Sequence, residues 1–138
     1  MRNIVLDTNC LIMAISARSD YFAIWQDFLD RKYNLCISND ILEEYVEVIG
    51  RNINPSFAET ICYVILNSPN IVFVDPTYSF ELIQNDIDDN KFVDCAIVSN
   101  AQFIVSNDRH FNALKYIPFP KVEVINIDQY LKQRQAKE

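Results

Sequence analysis

The stretch MRNIVLDTN at residues 1–9 joins a short apolar run to an acidic turn. The run Ile4-Val5-Leu6 is made of aliphatic residues and predicts a buried strand. Asp7 follows this run at once, so its carboxylate is delivered to the first turn after the strand. An aspartate at that position is typical of a helix N-cap, although Thr8 would serve equally well as a cap. We therefore interpret Asp7 as a candidate functional acid.

Short strands and amphipathic helices alternate along the rest of the chain. Apolar runs predict strands at residues 4–6, 35–37, 71–74, 103–105 and 122–125. Helical spacing predicts helices at 11–15, 21–32, 38–52, 55–66, 90–100, 108–115 and 127–134. This order predicts parallel βαβ units in a single domain, residues 1–138, with the α/β class and a three-layer α/β/α sandwich around a mostly parallel five-stranded sheet. In such sheets, sites form beyond the carboxyl ends of the strands.

Length and charge narrow the classes of function. The 138 residues fit one domain, and 50% of them are hydrophobic. The formal net charge of −7 argues against general adhesion to nucleic acid, but a bound metal would supply local positive charge. Gly50 is the one glycine, which excludes the glycine-rich phosphate loops of P-loop and dinucleotide-binding proteins.

Cysteine usage and hydropathy bear on the compartment. The four cysteines form no Cys-x-x-Cys pair and are accompanied by one histidine, so a zinc finger has no ligand set. We expect them to be reduced and structural. No apolar stretch approaches the ~20 residues that span a bilayer, and Asp7 interrupts any signal-peptide core. We therefore expect a cytoplasmic protein with no membrane contact.

The helix predicted after the second strand carries three acids, Glu43, Glu44 and Glu47. Its apolar stripe includes Ile41 and Val48, and Glu44 lies about one turn from each of them, at the edge of the buried face. Glu43 and Glu47 share a more exposed side. Glu44 is therefore the better candidate ligand, although a solvated helical charge would produce the same sequence.

A dense acidic group, Asp86, Asp88 and Asp89, precedes the helix predicted at 90–100, and Asp94 lies within that helix. Acids in a first helical turn complement the helix dipole, which accounts for Asp88 or Asp89 without any function. Dipole complementation does not account for Asp94, which stands where an apolar side chain could pack. Asp89 and Asp94 point about 140° apart on an ideal helix, but both would face a cleft if Asp89 precedes the first regular turn. Both are therefore candidates.

The fourth predicted strand is followed by Ser106, Asn107 and Asp108. Asp108 is a candidate ligand, although it would also cap the short helix after it. Ser106 and Asn107 bring further oxygen atoms to this strand end, where they would hold a water molecule or orient a carboxylate.

Carboxylates gathered at one sheet edge repel one another and stay ionised together only near a cation. A hard divalent metal prefers oxygen ligands and fills that role. Lys91 and Arg109 adjoin carboxylates, where each would bind a substrate phosphate or balance charge. His110 lies near this cluster and is a candidate to contact a phosphate, but we expect it to be a surface or helix-packing residue. The sequence therefore predicts a metal-dependent acidic site, with a nuclease as the leading interpretation.

These residues resemble the PIN-domain family of metal-dependent ribonucleases. The resemblance rests on four stretches in order: IVLDTN at 4–9, Ser38 to Glu44-Tyr45, DDNKFVDCA at 88–96, and IVSND at 104–108. It extends from residue 4 to about residue 126. The DDNKF form is similar to the VapC-type toxins of prokaryotic toxin–antitoxin pairs, which implies a PIN-like fold.

The resemblance also implies roles for particular residues. Catalytic and metal-ligand roles fall on Asp7, Glu44, Asp89 or Asp94, and Asp108, and supporting polar roles fall on Asn9 and Ser106. Simpler family members begin the helix before the fourth strand with one aspartate, and Asn90 is a candidate for that slot here. The resemblance further implies hydrolysis of RNA phosphodiester bonds with one or two Mg²⁺ or Mn²⁺ ions, a cognate antitoxin partner and a homodimer.

Two other classes of protein are alternatives on the same α/β frame. A response-regulator receiver needs two adjacent acids after the first strand, where this chain has Asp7 alone. A non-catalytic RNA- or protein-binding module would keep a vestigial pocket, and the intact set of acids weighs against it. The apolar helices around 21–29 and 61–66 are candidate interfaces for a partner, or plain core elements.

Overall fold

The computed structural model describes residues 1–16, 18–76, 79–83 and 87–136, which fold around one β-sheet. Within these ranges, the strands are Asn3–Leu6 (β1), Asn34–Ile37 (β2), Ile71–Phe73 (β3), Phe103–Val105 (β4) and Val124–Ile125 (β5). The α-helices are Thr8–Ile15 (α1), Phe22–Leu29 (α2), Asn39–Asn52 (α3), Pro55–Leu66 (α4), Asn90–Val98 (α5) and Ile127–Ala136 (α6). A 3₁₀ segment, Ile87–Asp89, leads into α5, and a second 3₁₀ segment, Arg109–Tyr116, follows β4.

The strand order of the sheet is β3-β2-β1-β4-β5, and all four pairings are parallel. The chain builds outward from β1 to β3 on one side, then returns to place β4 against the other side of β1. The order therefore reverses between β1 and β4, and a crevice forms beyond the carboxyl ends of strands at such a reversal. The predicted α/β class with a parallel five-stranded sheet flanked by helices is confirmed.

The central strands are apolar because both of their faces are covered. Every residue of the runs Ile4-Val5-Leu6 and Phe103-Ile104-Val105 is buried. Full burial of one such aliphatic side chain contributes roughly 1.5–3 kcal/mol. The buried strands β1 and β4 therefore hold Asp7 and Ser106 in fixed positions at their carboxyl ends.

Helix α3 is fixed to the end of β1 through Tyr45. This side chain is buried, and its hydroxyl donates a 2.6 Å hydrogen bond to the carbonyl oxygen of Leu6. Ser38 caps the helix by accepting a hydrogen bond from the backbone N–H of Ile41. This bond places Glu44, the residue before Tyr45, close to the residues that follow β1.

The boundaries of several elements differ from the predicted ones. The helix expected at 90–100 ends at Val98, and Asn100 has a φ of 55°, a left-handed conformation that asparagine tolerates. The helix expected at 108–115 is a 3₁₀ helix, Arg109–Tyr116. Strand β5 is shorter than the predicted 122–125, and its residues pair only with β4 at the sheet edge.

Helix α6 is attached to the rest of the domain at two places. The buried carboxylate of Asp27 in α2 accepts a 2.9 Å hydrogen bond from the Tyr130 hydroxyl and bonds of 3.0 and 2.9 Å from Arg134 Nε. At the start of the helix, the backbone N–H of Ile127 donates to Asn107 Oδ1 at 3.0 Å. These contacts bind α6 to α2 and to the loop after β4.

All four cysteines are free, and Cys10, Cys36 and Cys95 are buried. Burial raises the pKa of the Cys95 thiol to about 12, which keeps it protonated and unreactive. Within the described ranges, none of the helices has both the length and the apolar character needed to cross a membrane.

Candidate active site

Asp7 lies at the carboxyl end of β1 and is only 6% exposed. One carboxylate oxygen accepts a 2.8 Å hydrogen bond from the backbone N–H of Cys10 and thereby caps α1. The other oxygen accepts a hydrogen bond from the Ser106 hydroxyl. Burial raises the pKa of Asp7, and the negative charge of Asp108 adds to this, while the hydrogen bonds oppose it. Asp7 therefore both caps α1 and contributes a carboxylate to the acidic site.

Ser106 connects the ends of the two central strands. Its oxygen accepts a 3.0 Å hydrogen bond from the backbone N–H of Asp108 while its hydroxyl donates to Asp7. Ser106 is buried, so this connection is shielded from water. The predicted orienting role of Ser106 therefore has a definite geometry. Asn107, the other oxygen-bearing residue at this strand end, instead caps α6.

Asp89 and Asp108 meet around His110. The Nδ1 atom of His110 lies 3.2 Å from Asp108 Oδ1 and 3.5 Å from Asp89 Oδ2. The three potential ligand atoms all lie within 4.8 Å of one another. His110 was expected to be a surface or packing residue, but it stands in the acidic group. Its backbone N–H also donates to Asp108 Oδ1 at 2.9 Å, so the predicted capping role of Asp108 is present as well.

Glu44 is held from two sides. One carboxylate oxygen accepts a hydrogen bond from the Thr8 hydroxyl, and the other lies 2.9 Å from Lys91 Nζ. Glu43 and Glu47 are exposed, as the helical stripe predicted. Thr8 was not predicted to reach Glu44, and its only signal in the sequence is its position next to Asp7. Lys91 balances a carboxylate, which is one of the two roles considered for it.

Asp94 and Asn90 bind the segment 79–83 across the start of α5. Asp94 is 8% exposed and accepts a 3.1 Å hydrogen bond from the backbone N–H of Phe80. Burial raises the pKa of Asp94, and its hydrogen bonds to Phe80 and Ser79 oppose the rise. Asn90 accepts from the backbone N–H of Ile83 at 2.9 Å and donates to its carbonyl oxygen at 2.8 Å.

The two candidates for the third acid, Asp89 and Asp94, differ in the residues that they contact. Asp89 ends the 3₁₀ turn before α5 and lies beside Asp108, whereas Asp94 faces the segment 79–83. Asn90, the candidate for the slot of a single aspartate, makes two hydrogen bonds with the backbone of Ile83. Asp86 lies outside the described residues. Asn9 is exposed in the first turn of α1.

A groove of about 900 Å³ runs between α3, residues 75–76 and 79–81, and the start of α5. Its lining contains eight carboxylates, Glu44, Asp88 and Asp94 among them, and two cations, Lys91 and Arg51, within the described part of the chain. This excess of negative charge attracts cations to this side of the molecule.

The donor chemistry of the site fits a divalent metal. Asp7, Asp89 and Asp108 supply carboxylate oxygens, which Mg²⁺ and Mn²⁺ prefer. Asp89 and Asp108 lie together with His110, and Asp7 is connected to Asp108 through Ser106, at the reversal of strand order. His110 adds a nitrogen atom at the same place, either as a ligand or as a hydrogen-bonding group that orients the carboxylates.

The fold and the site together define an α/β domain that gathers carboxylates where the strand order of its parallel sheet reverses. A sequence profile described as PIN domain matches residues 3–110, most of the chain. The chain therefore belongs to the PIN-domain family, and the resemblance seen in the sequence is confirmed. Comparison with curated proteins gives no match.

Solved structures share the fold at low sequence identity. The VapBC2 complex of Rickettsia felis, bound to a DNA fragment from its promoter, is similar with a TM-score of 0.62 and 18% identity over 90% of this chain and 98% of that one. VapC20 of Mycobacterium tuberculosis, a sarcin-ricin loop cleaving toxin, gives 0.60 and 13% over 83% and 96%. DNA-bound VapBC of Salmonella typhimurium gives 0.58 and 15% over 92% and 99%.

Proposed function

We propose that this protein is a divalent-metal-dependent endoribonuclease that hydrolyses RNA phosphodiester bonds, and that it is the toxin of a toxin–antitoxin pair. The observation that carries the proposal is the meeting of Asp89, Asp108 and His110 next to the Asp7–Ser106 hydrogen bond. Membership of the PIN-domain family and the shared fold with VapC20, a toxin that cleaves the sarcin-ricin loop, support the same reaction class.

Asp7, Asp89 and Asp108 would hold Mg²⁺ or Mn²⁺, with Glu44 and Asp94 as further carboxylates on the groove side. When bound, such a metal ion lowers the pKa of a coordinated water molecule and neutralises charge on the phosphate. Without a cation, the same carboxylates repel an RNA phosphate.

The other residues of the site act by positioning. Ser106 holds one oxygen of Asp7 and, through the N–H of Asp108, fixes the loop after β4. Thr8 and Lys91 hold Glu44 in one orientation, so that little side-chain freedom remains to be lost on binding.

An antitoxin partner, a homodimer and a cytoplasmic location are parts of the same proposal. The similarity in fold to the VapBC complexes supports the antitoxin. The exposed apolar side chains of Tyr63 and Leu66 on α4 are consistent with a protein interface. Co-expression with the product of an adjacent gene, followed by co-purification, tests the pairing, and sedimentation of the isolated chain tests the dimer.

The nuclease proposal is tested by incubating the chain with RNA in Mn²⁺, Mg²⁺ or EDTA. We expect cleavage only with metal, and a loss on the order of 100-fold or more for Asp7→Asn. Glu43→Gln, which removes an exposed charge beside Glu44, is the matched control and should cleave normally. Calorimetric titration with Mn²⁺ separates the alternatives, because a non-catalytic binding module would neither bind the ion nor cleave RNA.

A further inference from the structure

The segment that follows Asp108 differs in charge from the rest of the molecule. Residues 109–121 contain Arg109, Lys115 and Lys121, and the next acid after Asp108 is Glu123. The whole chain carries a net charge of −7. An acidic protein that handles a polyanion needs local positive charge to bind it, and this segment supplies such charge next to the acidic site.

Buried apolar anchors hold the segment against the domain. Phe111 and Leu114 lie in the core, and Val122 is buried where the chain reaches β5. The 3₁₀ helix Arg109–Tyr116 therefore has an inner face, which leaves Arg109 and Lys115 exposed on its outer side.

Two aromatic rings stand almost fully in solvent on this anchored segment. Tyr116 is 86% exposed and Phe119 is 87% exposed. They lie three residues apart, and Lys115 directly precedes Tyr116. A single exposed aromatic residue is ordinary, but a pair of rings among cations has the composition of a surface on which nucleic-acid bases stack.

The segment begins at the acidic site itself. His110, its second residue, lies 3.2 Å from Asp108 and 3.5 Å from Asp89. A 3₁₀ helix rises about 2.0 Å per residue, so Tyr116 stands roughly 12 Å beyond His110 along the axis. An RNA strand held at the acidic site would therefore reach the rings within a few nucleotides.

Helix α6 also carries two cations, Lys132 and Arg134, but it is held by a different contact. Its Arg134 is bonded to the buried carboxylate of Asp27, which fixes the helix to α2. Lys121 likewise lies 3.8 Å from Glu123. Arg109 and Lys115 are therefore the cations best placed to meet a phosphate beside the two rings.

We propose that residues 109–119 form a binding surface for single-stranded RNA, on which Tyr116 and Phe119 stack against bases while Arg109 and Lys115 contact phosphates. This inference rests on the proposed ribonuclease function and specifies how that site receives its substrate. Single strands are favoured because a duplex keeps its base faces stacked on one another, out of reach of a side chain. Stacking depends little on base identity, so the surface selects for strandedness rather than for sequence.

The test measures RNA binding apart from cleavage. In an Asp7→Asn background with Mn²⁺ present, the affinity for a short fluorescent oligouridine is compared with that for a duplex RNA by anisotropy. We expect Tyr116→Ala with Phe119→Ala to weaken single-strand binding by roughly 10-fold or more and to change duplex binding little. In the catalytically intact chain, the same pair should raise KM while leaving kcat close to its original value.

Matched controls come from elsewhere on the surface. Tyr63→Ala removes an aromatic side chain that is 69% exposed on α4, and Lys132→Ala removes an exposed cation of α6. Both should leave RNA affinity unchanged. An equal loss from Tyr63→Ala, or full single-strand affinity without Tyr116 and Phe119, overturns the inference.

The outcomes also separate this inference from the proposed function. Metal-dependent cleavage with an unaltered KM in the Tyr116 and Phe119 variant would leave the ribonuclease standing and remove the surface. If the chain bound RNA through the two rings but never cleaved it, the binding surface would stand and the proposed ribonuclease function would fail. Unchanged RNA binding together with a lost antitoxin contact would assign the rings to a protein partner and overturn the inference.

Discussion

Lys91 Nζ lies 2.9 Å from Glu44 Oε1, although 47 residues separate the two in the chain. This pair joins the first turns of α5 to the middle of α3, on the edge of the acidic groove. Lys91 thereby acts as an internal counterion at a place where the proposed function requires a metal ion nearby.

Replacing Lys91 by methionine tests that role. Lys91→Met removes the cation and leaves a packed side chain, so we expect Mn²⁺ affinity to rise, by roughly 10-fold, because the ion no longer meets a positive charge near Glu44. The free energy of unfolding without metal should fall by roughly 1 kcal/mol. Titration calorimetry and urea unfolding measure the two quantities. Arg51→Met, which breaks the exposed pair with Glu47, is the control, and weaker Mn²⁺ binding by Lys91→Met would contradict the counterion role.

Asp7→Asn is expected to stabilise the metal-free protein while it abolishes activity. Burial raises the pKa of Asp7 above the ordinary aspartate value of 3.8, so the folded state binds more protons than the unfolded state between these two pKa values. Stability therefore falls as the pH rises through that window, and the loss persists at neutral pH. Asparagine carries no charge and keeps an oxygen for the Cys10 N–H. The variant should have a higher free energy of unfolding at pH 7.

Urea unfolding in EDTA at a series of pH values measures this effect. The Asp7→Asn chain should lack the part of the pH dependence that arises from Asp7. Asp40→Asn, at an exposed position in the first turn of α3, is the comparison and should not reproduce the gain. A lower stability for Asp7→Asn at pH 7 would show that capping and the bond with Ser106 outweigh the cost of the buried charge.

Ser106→Ala tests the connection between the two central strands. Loss of the hydroxyl leaves Asp7 without its orienting donor, and we expect activity or Mn²⁺ affinity to fall by about 10- to 100-fold. Ser106→Thr restores a hydroxyl and should recover most of the loss. Ser68→Ala, which removes a hydroxyl that donates to Val64, is the control for a lost hydrogen bond remote from the site. An unchanged Mn²⁺ titration for Ser106→Ala would argue against the orienting role.

Asp89 and Asp94 are distinguished by their separate contacts. Asp89→Asn should weaken Mn²⁺ binding by roughly 10-fold or more, because Asp89 stands beside Asp108. Asp94→Ala should change metal affinity much less and instead speed amide hydrogen exchange in residues 79–83, where it removes the acceptor for the Phe80 N–H. The reverse pattern would assign the third ligand to Asp94.

The fold was predictable because its signals are local. The buried strands β1, β2 and β4 are uninterrupted apolar runs, and the caps Asp7 and Ser38 stand where their chemistry demands. Asp7 and Asp108 could be placed at one edge of the sheet because parallel strands present their carboxyl ends together. Glu44 followed from the position of its neighbours on a helical stripe.

The remaining features depend on contacts that no local pattern encodes. Asp89 and Asp94 differ because Asp89 ends a 3₁₀ turn before α5, whereas Asp94 accepts a hydrogen bond from the backbone N–H of Phe80. The Lys91–Glu44 and Thr8–Glu44 contacts span 47 and 36 residues. His110 was expected to lie at the surface or to pack against a helix, because the sequence does not show that its imidazole contacts both Asp89 and Asp108.

The attachment of α6 has a practical consequence. Asn107, which receives the first N–H of that helix, is the immediate neighbour of Asp108, and the far end of the helix is anchored at Asp27. A chain shortened before Arg134, or one with a bulky fusion at this end, would hold α6 less firmly. The contact between α6 and Asn107 would then weaken, one peptide bond from the proposed ligand Asp108. An affinity tag is therefore safer at the opposite terminus, where Met1 is exposed.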